Sequence, residues 1–180
     1  MPPSILMNTL DQLFQLVDGW GVSPVVAGGL AVSYWGHPRS TRDIDLAVLV
    51  SSNQEFEAKL RKAGLVPSKE PNVAELGFVK VSQWRKPLPD AFIDIDVDFL
   101  ISESAYHQQA IQRAPKCALP GVKSIMRVLS CEDLLLFKAR SGRIIDLADI
   151  EVLIELRRGD LDIDYMRAKS AEIGLDPSRW

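Results

Sequence analysis

The chain has 180 residues, a formal net charge of −3, 47% apolar residues and 25% charged residues. That length holds one well-buried core, or a core with a small appendage, and that balance excludes wholesale disorder. The negative net charge excludes a general attraction to polyanions, so nucleic acid would need a local basic patch. The two cysteines, Cys117 and Cys131, are not spaced as a CxxC pair, which argues against a zinc site or a disulfide framework and for a reducing cytoplasm. No apolar run reaches the roughly 18 residues of a membrane span. The first residues lack a basic segment and carry Asp11, unlike a signal peptide.

In chain order, Thr9 to Trp20 places Leu10, Leu13, Phe14 and Val17 at helical spacing, and Gly21 ends that helix. Pro24 to Ala27 is a short apolar run followed at once by Gly28-Gly29. Leu30 to Trp35 predicts a short helix closed by Gly36 and Pro38. A polar loop, Pro38 to Arg42, leads into Asp43-Ile44-Asp45 and a continuously apolar stretch to Val50, as expected of a central strand buried on both faces. Gln54 to Ala63 predicts a helix with Gly64 just past its end, Leu76 to Val81 a strand, and Trp84 falls in a polar loop. Ile93 to Ile101 predicts a strand with Asp94, Asp96 and Asp98 on one face and Ile93, Ile95, Val97 and Phe99 on the other.

Ser104 to Arg113 predicts a helix and Ile125 to Leu129 a short strand. Ser130, with Asp133 three residues on, predicts a capped helix start running through Leu134 to Ala139, with a break at Ser141-Gly142. Ile144 to Arg157 predicts a helix with Ile145, Ala148, Val152 and Leu156 as its apolar stripe, and Asp164 to Ile173 a last helix. The order implies an α/β (α+β) fold: a small mixed sheet flanked by helices, with a helical C-terminal portion. A division into a core of residues 1–120 and a packed helical portion of residues 121–180 follows, with a single domain as the alternative.

The chemistry concentrates in the acids. Residues two apart in a strand point the same way, so Asp43 and Asp45 share a face and repel. A hard divalent cation such as magnesium makes such a cluster tolerable and is commonly held by carboxylates and phosphate oxygens. A second ion needs a third carboxylate from a neighbouring strand, and Ile93 to Ile101 offers three. An exposed edge strand is the competing account of those three. A glycine pair between strand and helix lets backbone approach a ligand and aims N–H groups at phosphate. Arg39 and Arg42 beside the aspartates would contact phosphate or neutralise the acids. From His107 to Arg143 the basic residues are Arg113, Lys116, Lys123, Arg127, Lys138, Arg140 and Arg143, against only Glu132 and Asp133. This reads as a basic wall steering polyanions or as chance surface segregation. His37 and His107 form no catalytic set, and Trp20 and Trp35 read as core residues.

The run AGGLAVSYWGHPRSTRDIDLAVLV resembles the signature of DNA polymerase β-like nucleotidyltransferases: a glycine pair, a short helix, then Asp-hydrophobic-Asp on the next strand. The Arg39-Ser40-Thr41-Arg42 lead and the later VLSCEDLLLFKARSGRIIDLADI are similar to the small bacterial branch with AbiEii-type toxin nucleotidyltransferases. The resemblance covers Val25 to Leu153 and implies a nucleotidyltransferase fold that moves a nucleoside monophosphate from an NTP, ATP for example, to an acceptor, releasing pyrophosphate.

It implies that Asp43, Asp45 and Asp98 are catalytic and hold Mg2+, two ions with Mn2+ as an alternative, with Asp96 in reserve for Asp98. It further implies that Gly28, Gly29, Arg39, Thr41, Lys138, Arg143 and Asp146 bind the nucleotide. Leu30-Ala31 after the glycine pair departs from the serine common in the superfamily, which moves phosphate binding onto backbone N–H groups. The acceptor is left open among RNA such as tRNA, protein and a small molecule, and a cognate antitoxin partner belongs to the same expectation. A non-catalytic nucleotide- or partner-binding module on this fold is the alternative. A DxD glycosyltransferase gives the glycine pair no role, and a dehalogenase-type phosphatase would place its aspartates after the apolar strand, not before it.

Overall fold

The computed structural model describes residues 5–76, 79–88 and 93–180. The elements are helix α1 (Ile5–Asp18), strand β1 (Val25–Val26), α2 (Gly28–Tyr34), β2 (Asp43–Val48), α3 (Asn53–Lys62), β3 (Val66–Pro67), β4 (Val73–Leu76), β5 (Val79–Leu88), β6 (Ile93–Ile101), α4 (Ala105–Arg113), β7 (Lys116–Ala118), β8 (Ile125–Arg127), α5 (Cys131–Ser141), α6 (Ile144–Arg157) and α7 (Ile163–Glu172). A short 3-10 turn, Pro177–Arg179, closes the chain.

The main sheet runs β1-β2-β6-β5-β3, with β4 also on β5, and β7 pairs β8 as a separate ribbon. It is mixed: β2 and β6 are parallel, whereas β1 on β2 and β5 on β6 are antiparallel. The central register sets Asp43 opposite Asp96, Ile44 opposite Val97 and Asp45 opposite Asp98. On the far side of β6, Trp84 faces Val97 and Gln83 faces Asp98. Cross-strand neighbours share a face, so the sheet has two rows of opposite character. Ile44, Val97 and Trp84 form an apolar row, each 0% exposed. Phe99, on that same face, packs edge-on against Phe56 of α3 at 5.0 Å between ring centroids. Asp45, Asp98 and Gln83 form the polar row on the opposite face, under α5.

Four expectations need correction. The predicted strand Leu76 to Val81 is two strands, because Leu76 ends β4 and Val79 begins β5, with residues 77 and 78 outside the described set. Trp84 is a core residue of β5, its indole N–H donating to Ser82 Oγ at 2.8 Å, and not part of a polar loop. Ile93, expected on the core face of β6, is exposed, because β5 and β6 run on together as far as the Leu88–Ile93 pair. On α6 the buried face is Asp146, Asp149, Ile150 and Leu153, while Ile145 and Leu156 are exposed. The physical reason is Lys138 of α5, whose ammonium draws the acidic stripe of α6 inward. Ser130 does cap α5, accepting from the Asp133 N–H at 3.1 Å and donating to its carboxylate at 2.8 Å.

One hydrophobic cluster runs from Leu10 of α1 to Ile173 beyond α7. Cys117 and Cys131 are both buried free thiols within it. Among the described residues, no helix is long and apolar enough to cross a membrane.

Candidate active site

The polar row of the sheet, the start of α2 and the α5–α6 corner enclose a cavity of about 150 Å³. Gly28, Asp45, Asp98, Lys138, Arg143 and Asp146 all line it. Asp45 reaches it because the Ala27 N–H donates to the Asp45 carbonyl at 2.9 Å, which ties the entry of α2 to β2. Gly28 has φ +54°, and a Cβ there would stand 1.7 Å from Asp45 Oδ2. Only glycine fits, on both counts. A Cβ on Gly29 would meet Thr41 Oγ1 at 2.8 Å and Arg39 Nη2 at 3.0 Å. The glycine pair is therefore the first turn of α2, not a loop before it, and the DxD and its Arg-Ser-Thr lead lie directly against it.

The carboxylates perturb one another. Burial, then the charges of Asp43 and Asp98, push the Asp45 carboxyl up to about 7. Burial, then Asp43, push Asp98 up to about 6, against a stabilising hydrogen bond from the Gln83 amide. Asp43 is exposed, and its carboxylate accepts from the Thr41 hydroxyl. Asp96 is also exposed and reaches Asp98 only through its charge, while Asp94 pairs with Arg85 at 3.4 Å.

Opposite this acidic floor stands a chain of ion pairs. Lys138 Nζ is buried between Asp146 Oδ1 at 2.7 Å and Asp149 Oδ2 at 2.8 Å. Arg143 Nε meets Asp146 Oδ2 at 2.7 Å, and Ser141 Oγ donates to the same oxygen at 2.7 Å. Burial opposes ionisation of Asp146, but the hydrogen bonds from Arg143, Lys138 and Ser141 win and hold it down at about 2. Arg39 Nε approaches Asp149 Oδ1 at 3.3 Å, and His37 Nε2 lies 3.8 Å from that oxygen. The Arg39 contact is close but not aligned as a hydrogen bond.

Of the residues predicted to be catalytic or nucleotide-binding, Gly28, Asp45, Asp98, Lys138, Arg143 and Asp146 line the cavity. Gly29, Arg39 and Thr41 cluster next to Gly28, whereas Asp43, Asp94 and Asp96 are exposed and do not line it. Asp149, Gln83 and Ser141 went unnoticed. Asp149 had a signal, since three residues after Asp146 on a helix is the same face. Gln83 had none, because its strand does not alternate cleanly in polarity. The basic wall is largely spent on structure. Arg127 binds the carbonyls of Ile111, Gln112 and Ala114, and Arg113 stacks on Tyr165 at 3.5 Å.

Residues 13–178 match the family model described as nucleotidyl transferase AbiEii toxin, Type IV TA system. The chain belongs to the AbiEii nucleotidyltransferase family. It is a nucleotidyltransferase by that membership, and its fold agrees. The antibiotic-resistance factor ANT(2'')-Ia in solution is similar at a TM-score of 0.59 with 15% identity, over 93% of this chain and 91% of that one. ANT(2'')-Ia in complex with adenylyl-2''-tobramycin gives a TM-score of 0.56 with 16% identity over 94% and 98%. An antigenic nucleotidyltransferase-like protein from Paracoccidioides brasiliensis gives 0.50 with 18% identity over 93% and 87%. Likeness at such identity establishes the fold. No curated protein matches the chain.

Among the described residues, no three His, Cys, Asp or Glu side chains already converge as a metal cage. The donors nevertheless suit a hard cation. Asp43, Asp45 and Asp98 are all oxygen donors on one sheet face, and the charge of Asp43 raises the proton affinity of both Asp45 and Asp98.

Proposed function

We propose that the chain transfers a nucleoside monophosphate from an NTP to a hydroxyl acceptor in a magnesium-dependent reaction at the Asp43–Asp45–Asp98 face. The observation that carries this is the pair Asp45 and Asp98, side by side in register, both held well above the usual carboxylate range by burial and then by the charge of Asp43. Such a pair is costly to the fold and is tolerated where a cation neutralises it. Bound magnesium on Asp43, Asp45 and Asp98 would neutralise those charges and polarise the phosphate under attack.

The rest falls to the chain's own groups. Asp98 lines the cavity beside Asp45 and is placed to accept the proton of an acceptor hydroxyl. Gly28 and Gly29 let the backbone at the start of α2 pack directly against Asp45, Thr41 and Arg39, which sets that backbone beside the carboxylates where a phosphate held by them would lie. Arg143 keeps a largely exposed side chain beside the cavity and can reach a phosphate without leaving Asp146. Lys138, held between two carboxylates, acts on the site through its field and by fixing α6. Arg39 and Thr41 pack against Gly29 at the start of α2.

The acceptor is a hydroxyl-bearing molecule, and the aminoglycoside in the adenylyl-tobramycin complex of ANT(2'')-Ia is one precedent. The family description makes a growth-arresting role under an antitoxin part of this proposal. The test is incubation with each labelled NTP, magnesium and total RNA, total protein or an aminoglycoside. Label should enter one acceptor class, and Asp45→Asn and Asp98→Asn should abolish it. Undiminished labelling in both variants would end the proposal.

A further inference from the structure

The Gln83 side chain is in an unusual position. It closes the polar row Asp45–Asp98–Gln83 across three strands and lines the cavity. Its backbone is pinned on both sides: its N–H donates to the Asn72 carbonyl at 2.7 Å, and its carbonyl accepts from the Ser68 N–H at 3.0 Å. A carboxylate accepts and never donates, so the amide must turn its NH2 end toward Asp98. The carbonyl end then faces away. Among the described residues, that buried Oε1 has no hydrogen-bond partner. A buried acceptor without a donor loses its hydration without compensation, and native proteins keep few of them without a reason.

Beyond Gln83 the cavity becomes apolar, walled by Val81, Leu100, Leu134 and Phe137. Its volume of about 150 Å³ is below the roughly 300–1,000 Å³ that whole drug-sized ligands occupy. Such a space takes a flat ring and leaves a triphosphate at the polar rim, by Gly28 and Arg143.

We propose that Gln83 selects the nucleotide: its side-chain carbonyl accepts a hydrogen bond from an amine on the nucleobase seated in the apolar half of the cavity. The inference rests on the nucleotide-binding reading of this site and adds the class of base. Adenine, cytosine and guanine each carry an amine. Hypoxanthine and uracil carry none, and their keto oxygens would meet Oε1 acceptor to acceptor.

The test is equilibrium binding of ATP, GTP, ITP, CTP and UTP with magnesium, by calorimetry, to the full chain and to Gln83→Met. The wild type should bind ATP or GTP at least about tenfold more tightly than ITP, or CTP than UTP, as loss of one buried hydrogen bond requires. Gln83→Met should flatten that ratio to near one while its melting transition stays cooperative. The wild-type ratio tests the idea even where the variant fails to fold. Equal binding of amine and keto bases by the wild type would overturn it, as would an unchanged ratio in Gln83→Met. Asn72, whose buried Nδ2 also lacks a partner among the described residues, offers the rival account that the two amides satisfy each other. In that case Gln83→Met lowers the melting temperature and leaves the ratio intact. Binding of no NTP at all would sink the nucleotide reading together with this one, whereas binding without amine preference would sink this one alone.

Discussion

Asp45→Asn should stabilise the metal-free protein at alkaline pH while destroying its activity. In the fold the Asp45 carboxyl sits at about 7, against an ordinary value of 3.8, chiefly from burial and then from Asp43 and Asp98. A raised carboxyl makes folding weaker as pH rises: the unfolded chain ionises this group near 4, and the folded chain resists doing so until about 7. The penalty grows by about 1.4 kcal/mol per pH unit across that window, so about 4 kcal/mol is its ceiling. Asp45 is only partly shielded from water at the cavity floor. Screening and the residual cost of a buried amide bring the expected gain to about 2 kcal/mol. For a chain of this size that is about 4–8 °C in melting temperature. The assay is thermal unfolding of wild type and Asp45→Asn in EDTA at pH 8 and pH 4. The variant should lead at pH 8 and lose the lead at pH 4, where wild-type Asp45 is already protonated in the fold. A variant less stable than wild type at pH 8, or a lead independent of pH, would refute the electrostatic account of the cluster.

The other expectations follow from the same geometry. Magnesium at about 100 times its dissociation constant should stabilise the wild type by about 2.7 kcal/mol at pH 8, and Asp45→Asn should show little of that shift when both are melted with and without MgCl2. Gly28→Ala places a methyl 1.7 Å from Asp45 Oδ2 at φ +54°, so nucleotidyl transfer should fall by at least about a hundredfold, as misplacement of a reacting group by about 1 Å does; near-wild-type rates would contradict the packing. Lys138→Met leaves Asp146 and Asp149 buried without their ammonium and should cost about 3–5 kcal/mol in urea unfolding. A loss of transfer with unchanged stability would instead make Lys138 a direct phosphate ligand.

The acidic face was legible because a strand's period of two is rigid: DxD on β2 and the alternation of β6 could project their carboxylates only to one side. The glycine pair was legible for a similar reason, since few residues can enter a helix where backbone and carboxylate meet so closely. Trp84 and the β4–β5 pairing were not legible. The stretch VKVSQWRKPL mixes polarity along both faces, because one face of β5 packs Trp84 on the core while the other lines a polar cavity with Gln83. The inward face of α6 was hidden by the rule that apolar stripes point inward. That rule fails by one residue here, because Lys138 is already buried on α5 and two aspartates must follow it. Burying such charges together is tolerable only when they neutralise one another; Lys138 meets both aspartates, and Arg143 and Arg39 supply the rest of the positive charge, so the cations around α6 decide its phase. The same logic links the scaffold to the chemistry. Asp149 satisfies Lys138 and draws in Arg39 from the loop that precedes the DxD. The pairing that fixes α6 therefore also places the arginine beside Gly29, and a cation at the start of α2 is positioned by a residue that does not line the cavity.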